Sequence, residues 1–216
     1  MPKKRISVSK REPDVLDQSV LTTLASKILV VVSEVPTSSK RKSRHPAEAA
    51  RKTANTAAVN AASAAGSLAL PPGLLGWLTI MPEILMVWKI QAQMVADIAS
   101  LYGKKRALTR EHMLYCLFRH MASQAVRDVV VRVGERVIVR RATTRAINAV
   151  AQKIGLKVTQ RALAKSASRW LPVVGALGVA AYAFYDTAQV ARTTIDLFER
   201  DIEVEPIISD SAPSAD

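Results

Sequence analysis

Thirty consecutive residues, Thr53 to Pro82, carry no charged side chain. A run of that length needs an apolar environment, and about 20 apolar residues are already enough to span a bilayer. Two details argue against a simple span. Pro71-Pro72-Gly73 interrupts the run, and its first half carries Asn55, Asn60, Ser63 and Ser67. That half is also rich in alanine, which favours helix and lets neighbouring helices approach closely. The pattern predicts a helix from Pro46 to Leu70, a stop at the Pro-Pro-Gly triplet, and further helix over Leu74 to Tyr102. A second apolar run, Trp170 to Tyr185, is 16 residues long and ends at Asp186.

The rest of the chain also repeats at helical spacing. From Glu12 to Val35, apolar residues recur at intervals of three and four, and Pro36 ends the pattern. Residues 36–45 read as a basic, Ser-rich linker inside the domain. Gly103 is placed as a helix C-cap, and Thr109 as the N-cap of a helix reaching about Met121. Residues 123–142 are open to two readings. Val and Ile around Gly134-Glu135 fit a hairpin, while Val126, Val129, Val130, Val133, Val137 and Ile138 also share a helical face. A hairpin on its own is marginal in water, so helix is preferred. Thr143 to Arg169 continues as helix, and Pro172 opens a last helix to about Arg200. The expectation is one all-α domain of six to eight helices over residues 12–200. Its core is the apolar hairpins at 53–103 and 170–200, its basic helices lie outside, and it is flanked by a disordered basic arm (1–11) and a disordered acidic tail (201–216).

Charge sharpens this picture. Lys and Arg number 31 against 18 Asp and Glu, a net +13, with hydrophobic residues at 49% and one cysteine. Such a chain is neither disordered nor disulfide-stapled, and the lone Cys116 suits a reducing cytoplasm. The charge is segregated: residues 40–52 are +5, 104–119 are +4, 127–169 are +9, and the tail 201–216 is −5. Within the largest block, Lys153, Lys157, Arg161, Lys165 and Arg169 are spaced by four, as are Arg132, Arg136 and Arg140. Like charges at that spacing repel by a few tenths of a kcal/mol per pair on a helix, a cost that an anionic surface relieves. These eight residues are therefore the expected lipid-headgroup contacts. Nucleic acid is the alternative partner, but residues 119–169 contain no Phe, Tyr or Trp on which bases could stack.

Motifs for chemistry are sparse. His112, Cys116 and His120 stand four apart on one predicted helix. The outer pair is then about 12 Å apart along the axis, too far to share a zinc whose nitrogen ligands sit about 2.1 Å away. They read as partly buried helix residues, and no metal or cofactor is expected. Phosphate-binding, dinucleotide-binding, zinc-protease and hydrolase motifs are absent from the sequence. An enzyme is the less favoured reading; its site would be an interior pocket around Glu83, Gln91, Tyr102 and Asp186.

Two stretches carry a family likeness. The first has Pro82-Glu83, then Gln91 in a long helix, then Tyr102-Gly103; the second has Pro172, Gly175 and Asp186 in a C-terminal helix. Over roughly residues 55–200 the chain resembles the EcsC-like family of bacterial proteins. That resemblance implies a mostly helical, membrane-associated protein with no agreed catalytic activity. Together with the charge map, it leads to the expectation of an amphitropic accessory protein. It would be cytoplasmic and peripheral at the inner face of the membrane, docking on anionic lipid or a membrane complex, with integral insertion as the alternative.

Overall fold

The computed structural model describes residues 18–68, 76–123, 126, 130–133, 136–139, 145, 147–153 and 172–204. Helix α1 covers Gln18–Ser33, α2 Pro46–Leu68, α3 Gly76–Leu101 and α4 Arg110–Ala122. A short 3₁₀ turn, Lys105–Ala107, links α3 to α4. Residues 147–153 are helical (α5), and α6 runs over Pro172–Glu199. The body is all-α, as expected.

The small residues of α2 decide how the long helices meet. Ala57, Ala58, Ala61 and Ala65 are buried, and a Cβ placed on Gly66 would sit 3.4 Å from the Ala180 Cβ of α6. With no side chains in the way, α2 packs against both α3 and α6. Ala61, Ala65, Val87 and Ala183 form one small cluster at this junction. The main core lies further along, where Ile28, Met94, Ile98, Met113, Leu114, Leu117, Phe118 and Phe198 are fully buried. Trp88 and Phe118 meet there edge to face, with centroids 5.1 Å apart. Ile84–Leu101 within α3 is long and apolar enough to cross a membrane, and 61% of that stretch is buried inside the protein.

Two predicted helix ends hold in atomic detail. At the end of α3, Gly103 adopts φ 75°, Gly103 N–H donates to Ser100 O (2.9 Å), and Lys104 N–H donates to Ala99 O (2.8 Å). The left-handed glycine thus lets the chain double back and close two otherwise unpaired carbonyls. At the start of α4, Thr109 is the N-cap.

Residues 123–142 overturn the helical preference. Strand β1 (Val130–Val133) pairs antiparallel with β2 (Arg136–Val139), Val133 facing Arg136 across the turn. The reason lies outside the segment: β3 (Asp201–Val204) adds in parallel to the far edge of β2, with Arg136 opposite Asp201. A hairpin that is marginal alone becomes the centre of a three-stranded sheet, ordered β1-β2-β3. Part of the acidic tail is therefore strand, and the basic-versus-acidic register suits the pairing. The predicted helical row Arg132, Arg136, Arg140 has no helix to run on here. Arg132 and Arg136 take register positions of opposite parity, and Arg140 lies outside the described residues.

Candidate anion-binding surface

A polar network crosses the core. Gln91 of α3 and Thr187 of α6 are fully buried, and Asp186 is nearly so. The Gln91 side-chain NH₂ donates to Asp186 Oδ2 (2.8 Å) and to Thr187 Oγ1 (3.1 Å). From α4, His120 Nε2 lies 2.8 Å from Asp186 Oδ1. Burial works against a charged carboxyl at Asp186. The His120 hydrogen bond and charge, with hydrogen bonds from Gln91 and Tyr182, outweigh it and hold the carboxyl below its ordinary range. One carboxylate thus sets the mutual position of three helices. Gln91 Oε1 and His120 Nδ1 are buried in the same region with no partner among the described residues.

The other two members of the His-Cys-His series are packed away. Cys116 is fully buried, and burial pushes its thiol up to about 12 against the pull of a Thr194 hydrogen bond, so it is unreactive. His112 is also fully buried and stacks on Phe198, with centroids 6.0 Å apart. Its Nδ1 accepts the Thr109 N–H (3.2 Å), and Thr109 Oγ1 lies 2.9 Å from the same nitrogen. Burial lowers the His112 pKa from 6.5 to about 4, against the opposing charge of Glu111. The neutral ring is the folded form, so this group leaves stability intact above pH 6.5 and weakens it as pH falls from 6.5 to about 4. At about 1.4 kcal/mol per pH unit, the loss over that window is on the order of 3 kcal/mol. Urea midpoints taken between pH 7.5 and 4.5 measure it. Replacing His112 with Gln should flatten the profile by that amount, and an unchanged profile would show that His112 is not the source.

A strongly basic part of the described surface is assembled from two distant runs. Residues 37–45 cross the end of α3 and are fastened there. Ser43 N–H donates to Leu101 O (3.0 Å), Ser100 Oγ donates to Lys40 O (2.5 Å), and Lys105 Nζ donates to Ser38 O (2.6 Å). The stem of Lys42 lies across Gly103, so close that a Cβ there would be 2.8 Å from the Lys42 Cδ. Lys104 turns the other way, with Nζ donating to Phe198 O (3.0 Å) and to Arg200 O at the end of α6. The result is a clasp at one tip of the bundle bearing Lys40, Arg41, Lys42, Arg44, Lys105 and Arg106, all exposed. None of the six is ion-paired with an acid among the described residues.

An apolar surface runs along the first half of α6. Leu177 is 66% exposed and Tyr185 61%, with Phe184 also exposed and Ala181 between them. Spacings of four, seven and eight from Leu177 put these on one side of the helix. Arg192, exposed and seven residues beyond Tyr185, continues the same line.

The fate of the predicted site residues is mixed. Gln91 and Asp186, two of the four residues of the expected pocket, are brought into contact within the buried network. Tyr102 is not with them: its hydroxyl donates to Glu199 (3.0 Å) near the clasp, and burial together with that carboxylate raises its pKa to about 12. Glu83 lies in α3, and its side chain is outside the described residues. Of the basic rows, Lys153 is exposed on α5; Lys157, Arg161, Lys165 and Arg169 lie outside the described residues, as do residues 1–17. Sequence reasoning missed His120 as the partner of Asp186, and it counted residues 40–52 and 104–119 as separate charged segments. Their signal was present in the loop chemistry of Ser38, Ser43 and Gly103, which brings the two together. The chain matches no protein-family model, no characterised protein and no solved structure at a significant level.

Proposed function

We propose that this chain is an amphitropic, non-catalytic accessory protein that docks on an anionic membrane surface. The observation that carries this reading is the clasp, which gathers six exposed cations that make no ion pair among the described residues. Gathering like charges costs free energy that a polyanionic surface returns, at about 1 kcal/mol for each Lys or Arg near anionic lipid. The apolar stripe on α6 supplies the second half of an interfacial contact. Tyr185 and Glu199 are separated by about 20 Å along the helix axis, a span that a single membrane contact can cover. The EcsC-like resemblance over residues 55–200 agrees with this reading and with a cytoplasmic, peripheral location. Ile84–Leu101 serves as a core helix in this arrangement rather than as a span.

Nucleic acid would also answer the clasp's charge. The aromatic beside it is Tyr102, whose hydroxyl is spent on Glu199, and single-strand binding draws on several stacking aromatics. Membrane is therefore preferred. Flotation of the full chain tests it. The protein should rise with vesicles containing phosphatidylserine, stay down with pure phosphatidylcholine, and be partly released by high salt. Equal flotation on both lipids, or none on either, would overturn the proposal.

A further inference from the structure

We infer that the cleft between the end of α4 and the second half of α6 is a phosphate-ester site, shaped for a phosphomonoester carried by an anionic lipid or by a free metabolite. The lipid source rests on the docking reading above; the site itself does not. The cleft holds about 450 Å³ and is walled by Arg119, His120 and Ser123 on one side and Gln189, Arg192 and Thr193 on the other. That volume lies within the range of about 300–1,000 Å³ usual for small-molecule sites.

Three observations point to an oxyanion. First, the two arginines have donors to spare. Arg192 is exposed and has no ion pair among the described residues. Arg119 reaches the one acid on the wall, Asp196, only at 3.6 Å, and its guanidinium lies 5.3 Å from the Tyr115 ring centroid. The other Asp196 oxygen is taken by Arg200, at 3.2 and 3.3 Å. A phosphate replacing Asp196 on Arg119 would gain the forked, charge-assisted geometry that guanidinium favours.

Second, His120 is incomplete. Its Nε2 is committed to Asp186, while Nδ1 is shielded from water and unpartnered among the described residues. A buried polar atom of this kind calls for an explanation; His120 also lines the cleft, and a small turn of its ring on ligand binding would offer this nitrogen to a phosphate oxygen. The hydroxyls of Ser123 and Thr193 and the Gln189 amide add neutral donors on the same walls.

Third, the cleft lies where the apolar stripe ends. Arg192 follows Leu177, Ala181 and Tyr185 along one side of α6, about 10 Å beyond Tyr185. A lipid with its chains along the stripe presents its phosphate at Arg192.

The test measures the full chain against glycerol 3-phosphate by calorimetry, and against vesicles holding phosphatidic acid or phosphatidylserine by flotation. Arg192→Gln is the exposed variant, with Arg119→Gln as a second. Loss of one charge-assisted contact should weaken phosphomonoester binding about tenfold or more, with phosphatidylserine flotation nearly unchanged. Stronger flotation on phosphatidic acid than on phosphatidylserine, reduced by Arg192→Gln to the phosphatidylserine level, with no glycerol 3-phosphate binding, assigns the site to lipid. Binding of glycerol 3-phosphate alone assigns it to a free ester. No phosphomonoester binding, or binding that both variants keep, overturns the inference. Phosphatidylserine flotation without phosphomonoester binding leaves the docking reading standing, and glycerol 3-phosphate binding without flotation leaves the site standing and removes the docking reading.

Discussion

Replacing Asp186 with alanine is expected to lower the melting temperature by roughly 6–20 °C. Breaking one partner out of a buried charge network costs about 3–5 kcal/mol, and about 2–4 °C is lost per kcal/mol in a domain of this size. The reason is what stays behind. His120 Nε2 loses its 2.8 Å contact, and Gln91 keeps only Thr187 for an NH₂ that also served the carboxylate. Both groups come from different helices, so the gap cannot close by a local shift. The double replacement Asp186→Leu with His120→Leu should recover part of the loss, because it removes both sides of the pair. A single variant melting within about 2 °C of the parent would show that the network does not hold α3, α4 and α6 together. The low Asp186 pKa adds a pH signature. A carboxyl held below its ordinary range stabilises the fold above that range, and the contribution disappears as acid titrates it in the folded protein. The parent should therefore lose stability in strong acid more steeply than the alanine variant.

Converting Lys40, Arg41, Arg44 and Arg106 together to glutamine is expected to weaken vesicle binding about a thousandfold. Each cation near an anionic surface contributes about 1 kcal/mol, and about 1.4 kcal/mol is one decade of affinity. The choice of four matters. Lys42 covers Gly103 and Lys105 bonds to Ser38 O, so both are left in place. The chosen side chains are exposed and make no ion pair among the described residues, and the melting temperature should stay near that of the parent. High salt should shrink the difference between variant and parent, since the charges are screened over about 8 Å at physiological ionic strength. A loss below tenfold would place the docking charge elsewhere on the molecule.

The parts of the fold that could be read from the chain are those whose cause is local. Gly103 and Thr109 end and begin helices through bonds within a few residues, and both were legible. The alanines of α2 signalled close packing by composition alone. The sheet was not legible in the same way, since β2 is stabilised by β3, more than sixty residues downstream. Its valines fit two local structures, and only a remote partner decides between them. The candidate site divides similarly. Gln91 and Asp186 stood out as polar residues in apolar helices, and they touch. His120 was weighed beside Cys116 on its own helix, whereas its partner is 66 residues away. The clasp was hidden because its two runs are separated by the whole α2–α3 hairpin.

The bonds that draw the clasp together end on main-chain atoms: Ser43 N, Leu101 O, Lys40 O and Ser38 O. The path of the chain there owes little to which side chains point outward from residues 40, 41, 44 and 106. Charge at this tip can therefore be raised or lowered one residue at a time while the scaffold beneath it stays put. Affinity for an anionic partner and stability of the fold become separately adjustable properties of the same molecule.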